Sequence, residues 1–543
     1  MRRGRFTRIR KILPITALIG FLLPIDCWAG SGIDASEIKL HIDSQASGPT
    51  INSNIFGQFV EHLGANVYGG IWVGPDSPIP NVRGIRSDVV AALKHIKVPN
   101  VRWPGGCYAE EYHWRKGIGA TDQRPETINI AWGNVVETNA FGTHEFFDFI
   151  DQIGSEAFLN INVGSGTVQE ATEWLEYITG SGSTTLARER KANGHAEPWK
   201  VQFLGIGNES WACGGAMSAE TYIALMKRYA MFVRNLHPEQ MAPNRFVSSK
   251  SPMIRIAVGP GEGFEDYTEE VMKAWKTHDN RWNIEGLSLH RYTMGPRGAM
   301  RDPGTDFGEA DYAAFIENTY AMEAFIDKHI AIMDKYDPQN EVLLAVDEWG
   351  TWLQPMADTN MLFLKQQNSL RDAVVAAIHL NMFVRKANRI RLANIAQLAN
   401  VLQAMILTED EKMLLTPTYH IFEMYVPFQN AQALPVTLEQ GQYQFENIML
   451  PQVDGIAAKS KDGHLYLALT NIDAHRVAAV STNIDGFKPS LATGHVLTAP
   501  GVDTVNTFEN PDAVVPVAVT VPAESGKLIL HLPPRSVTVV RMQ

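Results

Sequence analysis

Cysteine is scarce in this chain. Only three occur in 543 residues, at positions 27, 107 and 213, and none forms a CxxC pair, so neither a disulfide-built scaffold nor a cysteine zinc site is expected. No HExxH motif, EF-hand loop, Walker-type phosphate loop or dinucleotide fingerprint occurs, and Glu61-His62 and His144-Glu145 lack partners at ligand spacing. No metal and no cofactor are therefore expected. Basic residues are outnumbered, 47 against 59, for a net charge of −12, which argues against nucleic acid or an anionic membrane as partner. Low-complexity segments and tandem repeats are absent too.

One apolar run stands apart. Arg2, Arg3, Arg5, Arg8, Arg10 and Lys11 precede the apolar residues 12–25, and small residues follow at Ala29 and Gly30. A basic region followed by an apolar run too short to span a bilayer predicts a secretory signal over residues 1–29 and an exported product, periplasmic or extracellular, free of the membrane after processing. That segment holds six basic residues and one acid, so its removal would take the charge from −12 to −17.

What the sequence has is a set of apolar runs that stop at polar residues. Leu204-Gly205-Ile206-Gly207-Asn208-Glu209 is one, and residues 342–346 followed by Asp347-Glu348 are another. A strand buried on both faces reads as a continuous apolar run, and in a β/α barrel its C-terminal end faces the active site. Eight candidate strands can be placed, at 55–62, 100–106, 157–163, 201–209, 254–259, 286–292, 342–348 and 390–397. Between them, apolar residues recur at helical spacing over 87–97, 169–179, 219–236, 267–276, 311–335 and 371–387. This alternation predicts a (β/α)8 TIM barrel over residues 52–404. Short alternating runs at 464–470, 517–521, 527–531 and 536–540 then predict a C-terminal antiparallel β-sandwich, jelly-roll-like, over 405–543, which the strand-like segment within 30–51 would join.

On this frame the unusual polar residues gather at one rim. Glu61-His62 ends the first strand, Arg102 to Cys107 the second, Asn208-Glu209 the fourth, His290-Arg291-Tyr292 the sixth, Glu348-Trp349 the seventh and Gln397 the eighth. A structural barrel needs apolar residues there, whereas an enzyme needs converging polar groups. Two glutamates delivered by separate strands point to glycosidic-bond hydrolysis.

The ordered motifs Gly57-Gln58-Phe59-Val60-Glu61-His62, Arg102-Trp103-Pro104-Gly105-Gly106-Cys107, Glu111-Tyr112-His113-Trp114, Gly207-Asn208-Glu209-Ser210-Trp211, Ser288-Leu289-His290-Arg291-Tyr292, Asp347-Glu348-Trp349-Gly350 and Thr416-Pro417-Thr418-Tyr419 resemble glycoside hydrolase family 51, the α-L-arabinofuranosidases. The resemblance implies a retaining, exo-acting enzyme that releases terminal arabinofuranose from arabinan, arabinoxylan or their oligosaccharides. It implies Glu209 as acid/base and Glu348 as nucleophile, their carboxyl groups about 5–5.5 Å apart. Asn208, Glu61 and Gln397 are implied as ligands of sugar hydroxyls, His290 as lining the pocket, and Tyr292 as positioning the nucleophile. Arg102 is expected to orient a carboxylate.

Position 107 carries Asn in one branch of the family and Cys in others, so Cys107 is a sugar-contact candidate of altered chemistry. A Cys107–Cys213 bridge and two buried thiols are both open. Trp103, Trp211, Trp349 and Trp352 are each either a sugar platform or core. The loop over 294–309 is long enough to form a lid or an oligomer contact, and the family resemblance implies homo-oligomers. An endo-glucanase or xylanase on the same scaffold is the alternative activity, and a non-catalytic carbohydrate-binding protein the alternative class.

Overall fold

Eight parallel strands close into a barrel: β1 (Gly57–Phe59), β2 (Asn100–Trp103), β3 (Glu156–Ile161), β4 (Phe203–Ile206), β5 (Ile254–Ala257), β6 (Gly286–Thr293), β7 (Leu343–Thr351) and β8 (Ile390–Ile395). The computed structural model describes residues 36–242, 249–278 and 282–543. Each strand pairs in parallel with the next, and β8 closes on β1 through Asn394 opposite Gly57. β4 and β7 are buried along their whole length, which accounts for the unbroken apolar character of β4 and of residues 343–346 in β7. Inside the barrel floor Phe158, Phe203, Ile256, Leu343, Ala345 and Leu392 form a dry layer.

All eight expected strands are present, several shorter than their apolar runs. β1 keeps three residues because Ser53–Phe56 form a 3-10 turn ahead of it. β4 ends at Ile206 because Gly207 turns to φ +87°. Helix Thr143–Ile153 lies outside the periodic segments; its buried residues are Thr143, Phe146, Phe147, Phe149, Ile150 and Ile153.

Helix Leu370–Arg385 is buried from Leu370 to Val384 on every side. One side packs on the barrel and the other meets the C-terminal sheets, so no face is left to water and even Arg371, Asp372, His379 and Asn381 are buried. Asn381 Nδ2 and Arg385 Nη1 of this helix donate to the buried Asp454 at 3.0 and 2.7 Å, tying barrel to sheets.

Two sheets build the C-terminal part. One is antiparallel throughout, ordered Gln432–Leu434, Val453–Lys459, Leu465–Asn471, Ser536–Met542, Leu491–Leu497 and Val517–Pro522. The other is mixed: strand Ser36–Ile42 runs antiparallel to Val436–Leu438 but parallel to Ala478–Ile484. The sheet is not wholly antiparallel because this strand enters from the far end of the chain, with no hairpin to dictate its direction. Its alternate residues Ile38, Leu40 and Ile42 share a core with Leu467, Val480, Leu530 and Val540.

Candidate active site

The barrel mouth collects charge above the apolar floor. Arg102, at the end of β2 and 1% exposed, sits with its guanidinium 4.6 Å from the Phe59 ring centre. Its Nη1 donates to Glu348 Oε1 at 2.8 Å and its Nη2 to Asn208 Oδ1 at 2.6 Å, while Nε lies 3.4 Å from Asp347 Oδ2. Those contacts compensate the burial of a permanent cation.

Glu209 and Glu348 face each other from β4 and β7, with an oxygen of each inside a cluster no more than 4.8 Å across that also includes His290. Tyr292 donates to Glu348 Oε2 at 2.9 Å, and His290 Nδ1 lies 2.8 Å from Glu209 Oε1. Burial raises the Glu209 carboxyl above its ordinary range, and the Glu348 charge adds to that against the hydrogen bond from His290. His290 is pulled down by burial, yet Glu348 and Asp347 outweigh this and lift it to about 10. It is therefore an imidazolium near neutral pH, donating to Glu209.

Glu209 has a left-handed backbone, φ +39°, a conformation that costs a side-chain-bearing residue about 1–2 kcal/mol. The chain reaches it through Gly207, where φ +87° suits only glycine. Beyond it the Glu209 carbonyl accepts from Ala212 N at 2.7 Å and Gly214 N at 3.0 Å.

Glu61, buried after β1, accepts from Trp132 Nε1 and Tyr108 N at 2.9 Å each and from Gln397 Nε2 at 3.0 Å. A Cβ at Gly106 would come within 2.7 Å of its Oε1, so that glycine makes room for the carboxylate. Burial, then the Glu348 charge, pushes Glu61 up to about 7.

All nine candidate residues thus lie at one end of the barrel. Cys107 is bonded to Cys213, so it presents a disulfide sulfur there and no thiol; Cys213 Sγ is 3.8 Å from Glu209 Oε2. Among the tryptophans, Trp103 and Trp349 are wholly buried, stacked on Phe146 and Phe422, and are core, not platforms. Trp352 is partly exposed and meets the Tyr292 ring edge-on, and Trp211 stacks on Phe264. Met300, from the loop after β6, packs in the rim cluster with Tyr292, Trp352 and Trp132. Among the described residues, the side chains that converge as metal ligands could are Glu209, His290 and Glu348, already engaged with one another and with Arg102, and Glu209 with the two disulfide sulfurs.

Sequence reasoning missed Trp132 and Glu110. Trp132 lies beyond strand Thr127–Asn129, far from any barrel strand end. Glu110 closes the 3-10 turn Cys107–Glu110 and is 5% exposed; its one signal was a carboxylate placed three residues after a rim motif.

Comparison with known proteins bears on this geometry directly. Residues 92–284 match the family described as Alpha-L-arabinofuranosidase 1 domain, and residues 347–536 the Alpha-L-arabinofuranosidase C-terminal domain. A Bacteroides ovatus protein named intracellular exo-alpha-L-arabinofuranosidase is 40% identical over 513 residues, covering 94% of this chain and 96% of its own. The crystal structure of the GH51 arabinofuranosidase from Xanthomonas axonopodis pv. citri superposes with a TM-score of 0.89 at 45% identity, covering 93% of this chain and all of that one. An α-L-arabinofuranosidase from Thermotoga maritima, solved as an arabinose complex, gives a TM-score of 0.80 at 31% identity, with 93% of this chain and all of that one covered.

The expectation of an exported, secreted protein is corrected by one of these relatives. The Bacteroides ovatus protein, alike along nearly the whole chain, is named intracellular. A basic stretch before an apolar run is a signal of composition alone, carried by some two dozen residues. The expected signal itself lies outside the described residues. Among the described residues no helix is long and apolar enough to cross a membrane.

A parallel barrel that brings two glutamates together at its mouth, and whole-chain likeness to proteins of one activity, lead to one family: this chain belongs to the glycoside hydrolase family 51 α-L-arabinofuranosidases.

Proposed function

We propose that the enzyme is a retaining, exo-acting α-L-arabinofuranosidase working by double displacement, with Glu209 as acid/base and Glu348 as nucleophile. The observation that carries this reading is the approach of the two carboxylates to within 4.8 Å. Inverting enzymes need about 6.5–9.5 Å to seat a water between the two groups, whereas a nucleophile must reach the anomeric carbon itself.

In the first step the Glu209 proton passes to the glycosidic oxygen as the C1–O bond breaks, and a Glu348 oxygen bonds C1. Tyr292 and Arg102 hold that carboxylate and aim it. Once Glu348 is esterified its charge is gone, so the Glu209 pKa falls, and Glu209 can take the proton of a water that attacks C1 and releases Glu348. Asn208 is the ligand of the 2-hydroxyl, and Glu61 with Gln397 binds the outer hydroxyls. His290 lines the pocket beneath Glu209.

Exo action is supported by depth. Glu61, Asn208, Glu348 and Gln397 are at most 6% exposed, which suits a single terminal ring better than a passing chain. The relative named intracellular supports action on arabinofuranosyl oligosaccharides that have already entered the cell.

The test is hydrolysis of 4-nitrophenyl α-L-arabinofuranoside by the wild type, Glu209→Ala and Glu348→Ala, with the anomer of the first-formed product read by NMR. Retention, with activity collapsing in both variants, is expected. Inversion, activity surviving either substitution, or faster turnover of a β-xyloside or a linear glucan would overturn the reading.

A further inference from the structure

Glu110 is a buried carboxylate without a part in the chemistry described above. Its Oε2 accepts from Val163 N and Gly164 N, both at 2.6 Å, and its Oε1 accepts from the backbone N–H of Asn208. Its own carbonyl accepts from Ser165 N at 3.2 Å and Ser165 Oγ at 2.8 Å. One residue after β2 thereby joins the ends of β3 and β4. A Cβ on Gly164 would approach the Glu110 Cβ to 3.2 Å, and one on Gly207 would approach Oε1 to 3.0 Å, so both glycines leave space for this side chain.

The Asn208 N–H belongs to the peptide that links Gly207 to Asn208, inside the stretch where the chain turns left-handed to present Glu209. The carbonyl side of Glu209 is held by its own turn, through Ala212 and Gly214. On the side facing β4, Glu110 supplies the hold. Three N–H groups aim at its two oxygens, an arrangement suited to a carboxylate and to no neutral side chain.

We infer that Glu110 is a positioning residue for the acid/base: it fixes the peptide between Gly207 and Asn208, just ahead of the left-handed Glu209, and through it the direction in which Glu209 delivers its proton. The inference rests on the proposed role of Glu209. It separates Glu110 from a residue that merely stabilises the fold, because misaimed proton delivery harms only substrates whose leaving group needs a proton.

The experiment compares kcat/KM for a dinitrophenyl α-L-arabinofuranoside, whose leaving group departs unprotonated, with kcat/KM for the unsubstituted phenyl arabinofuranoside. The ratio of the two cancels the amount of folded enzyme in a preparation. In Glu110→Gln the amide NH2 must face at least one backbone N–H, and the ratio is expected to rise on the order of tenfold or more over wild type. Glu110→Asp keeps the charge but shortens the reach by one methylene; its smaller expected rise serves if the Gln variant does not fold. Glu209→Ala is the reference and should raise the ratio further. An unchanged ratio in both Glu110 variants, with the rise present in Glu209→Ala, would overturn the role of Glu110 and leave that of Glu209 standing. No rise in Glu209→Ala would instead refute the acid/base reading and this inference with it.

Discussion

Arg102 holds Glu348 and Asn208 in a single grip, donating to the first through Nη1 at 2.8 Å and to the second through Nη2 at 2.6 Å. One planar side chain from β2 thereby sets the spacing between a carboxylate on β7 and an amide two residues beyond β4. A lysine offers a point charge and cannot serve two acceptors at fixed angles.

Arg102→Lys should therefore lose most activity while keeping charge at the site. Arg102→Ala should also be destabilised by about 3–5 kcal/mol, because the buried Glu348 and Asp347 would lose the guanidinium and keep only His290 as a cationic neighbour. Denaturant unfolding together with kcat/KM would check both. Wild-type activity in the Lys variant would mean that charge alone, without the fork, is what Glu348 requires.

A second prediction concerns pH. Glu61 is raised from 4.5 to about 7 in the folded protein, so the native state holds its proton more tightly than the unfolded chain does. The stability this contributes is fully present below pH 4.5 and is lost as pH rises through about 7. Unfolding free energy measured across that interval should fall less steeply in Glu61→Gln than in wild type. Identical slopes would place the native Glu61 near the ordinary carboxylate range.

The third concerns the Cys107–Cys213 disulfide, which spans 106 residues and joins the loops after β2 and β4. Closing so long a loop constrains the unfolded chain, and reducing it should cost about 2–4 kcal/mol. Thermal melts with and without dithiothreitol, beside Cys107→Ser/Cys213→Ser, would show this as a lower Tm on reduction. Equal melts, or two free thiols by mass mapping of the native protein, would contradict it.

Much of the barrel is readable along the chain. Phe203–Ile206 and residues 343–346 are apolar because both faces of each strand are covered, so the ends of these runs mark the rim and single out Glu209 and Glu348. The reading failed where partners come from loops. Trp132 reaches Glu61 across 71 positions and Glu110 reaches Asn208 across 98, and neither lies on an element with a period. Trp103 and Trp349 stood open between platform and core for a related reason: a strand-end position does not say which side of the sheet a ring falls on, and both turn into the core.

Local pattern alone determined that eight strands alternate with helical segments, six of which it marked, that the chain ends in sheets, and that carboxylates sit at strand ends, because periodicity and apolar runs are properties of neighbouring residues. Only the tertiary structure decided that Arg102 ties β4 to β7, that Cys107 meets Cys213, that Glu110 anchors the chain before Glu209, and that strand Ser36–Ile42 runs parallel to Ala478–Ile484. Each of those contacts joins residues dozens to hundreds of positions apart. They are set by how the barrel closes and its loops fold back over the mouth, which no short stretch of sequence encodes by itself.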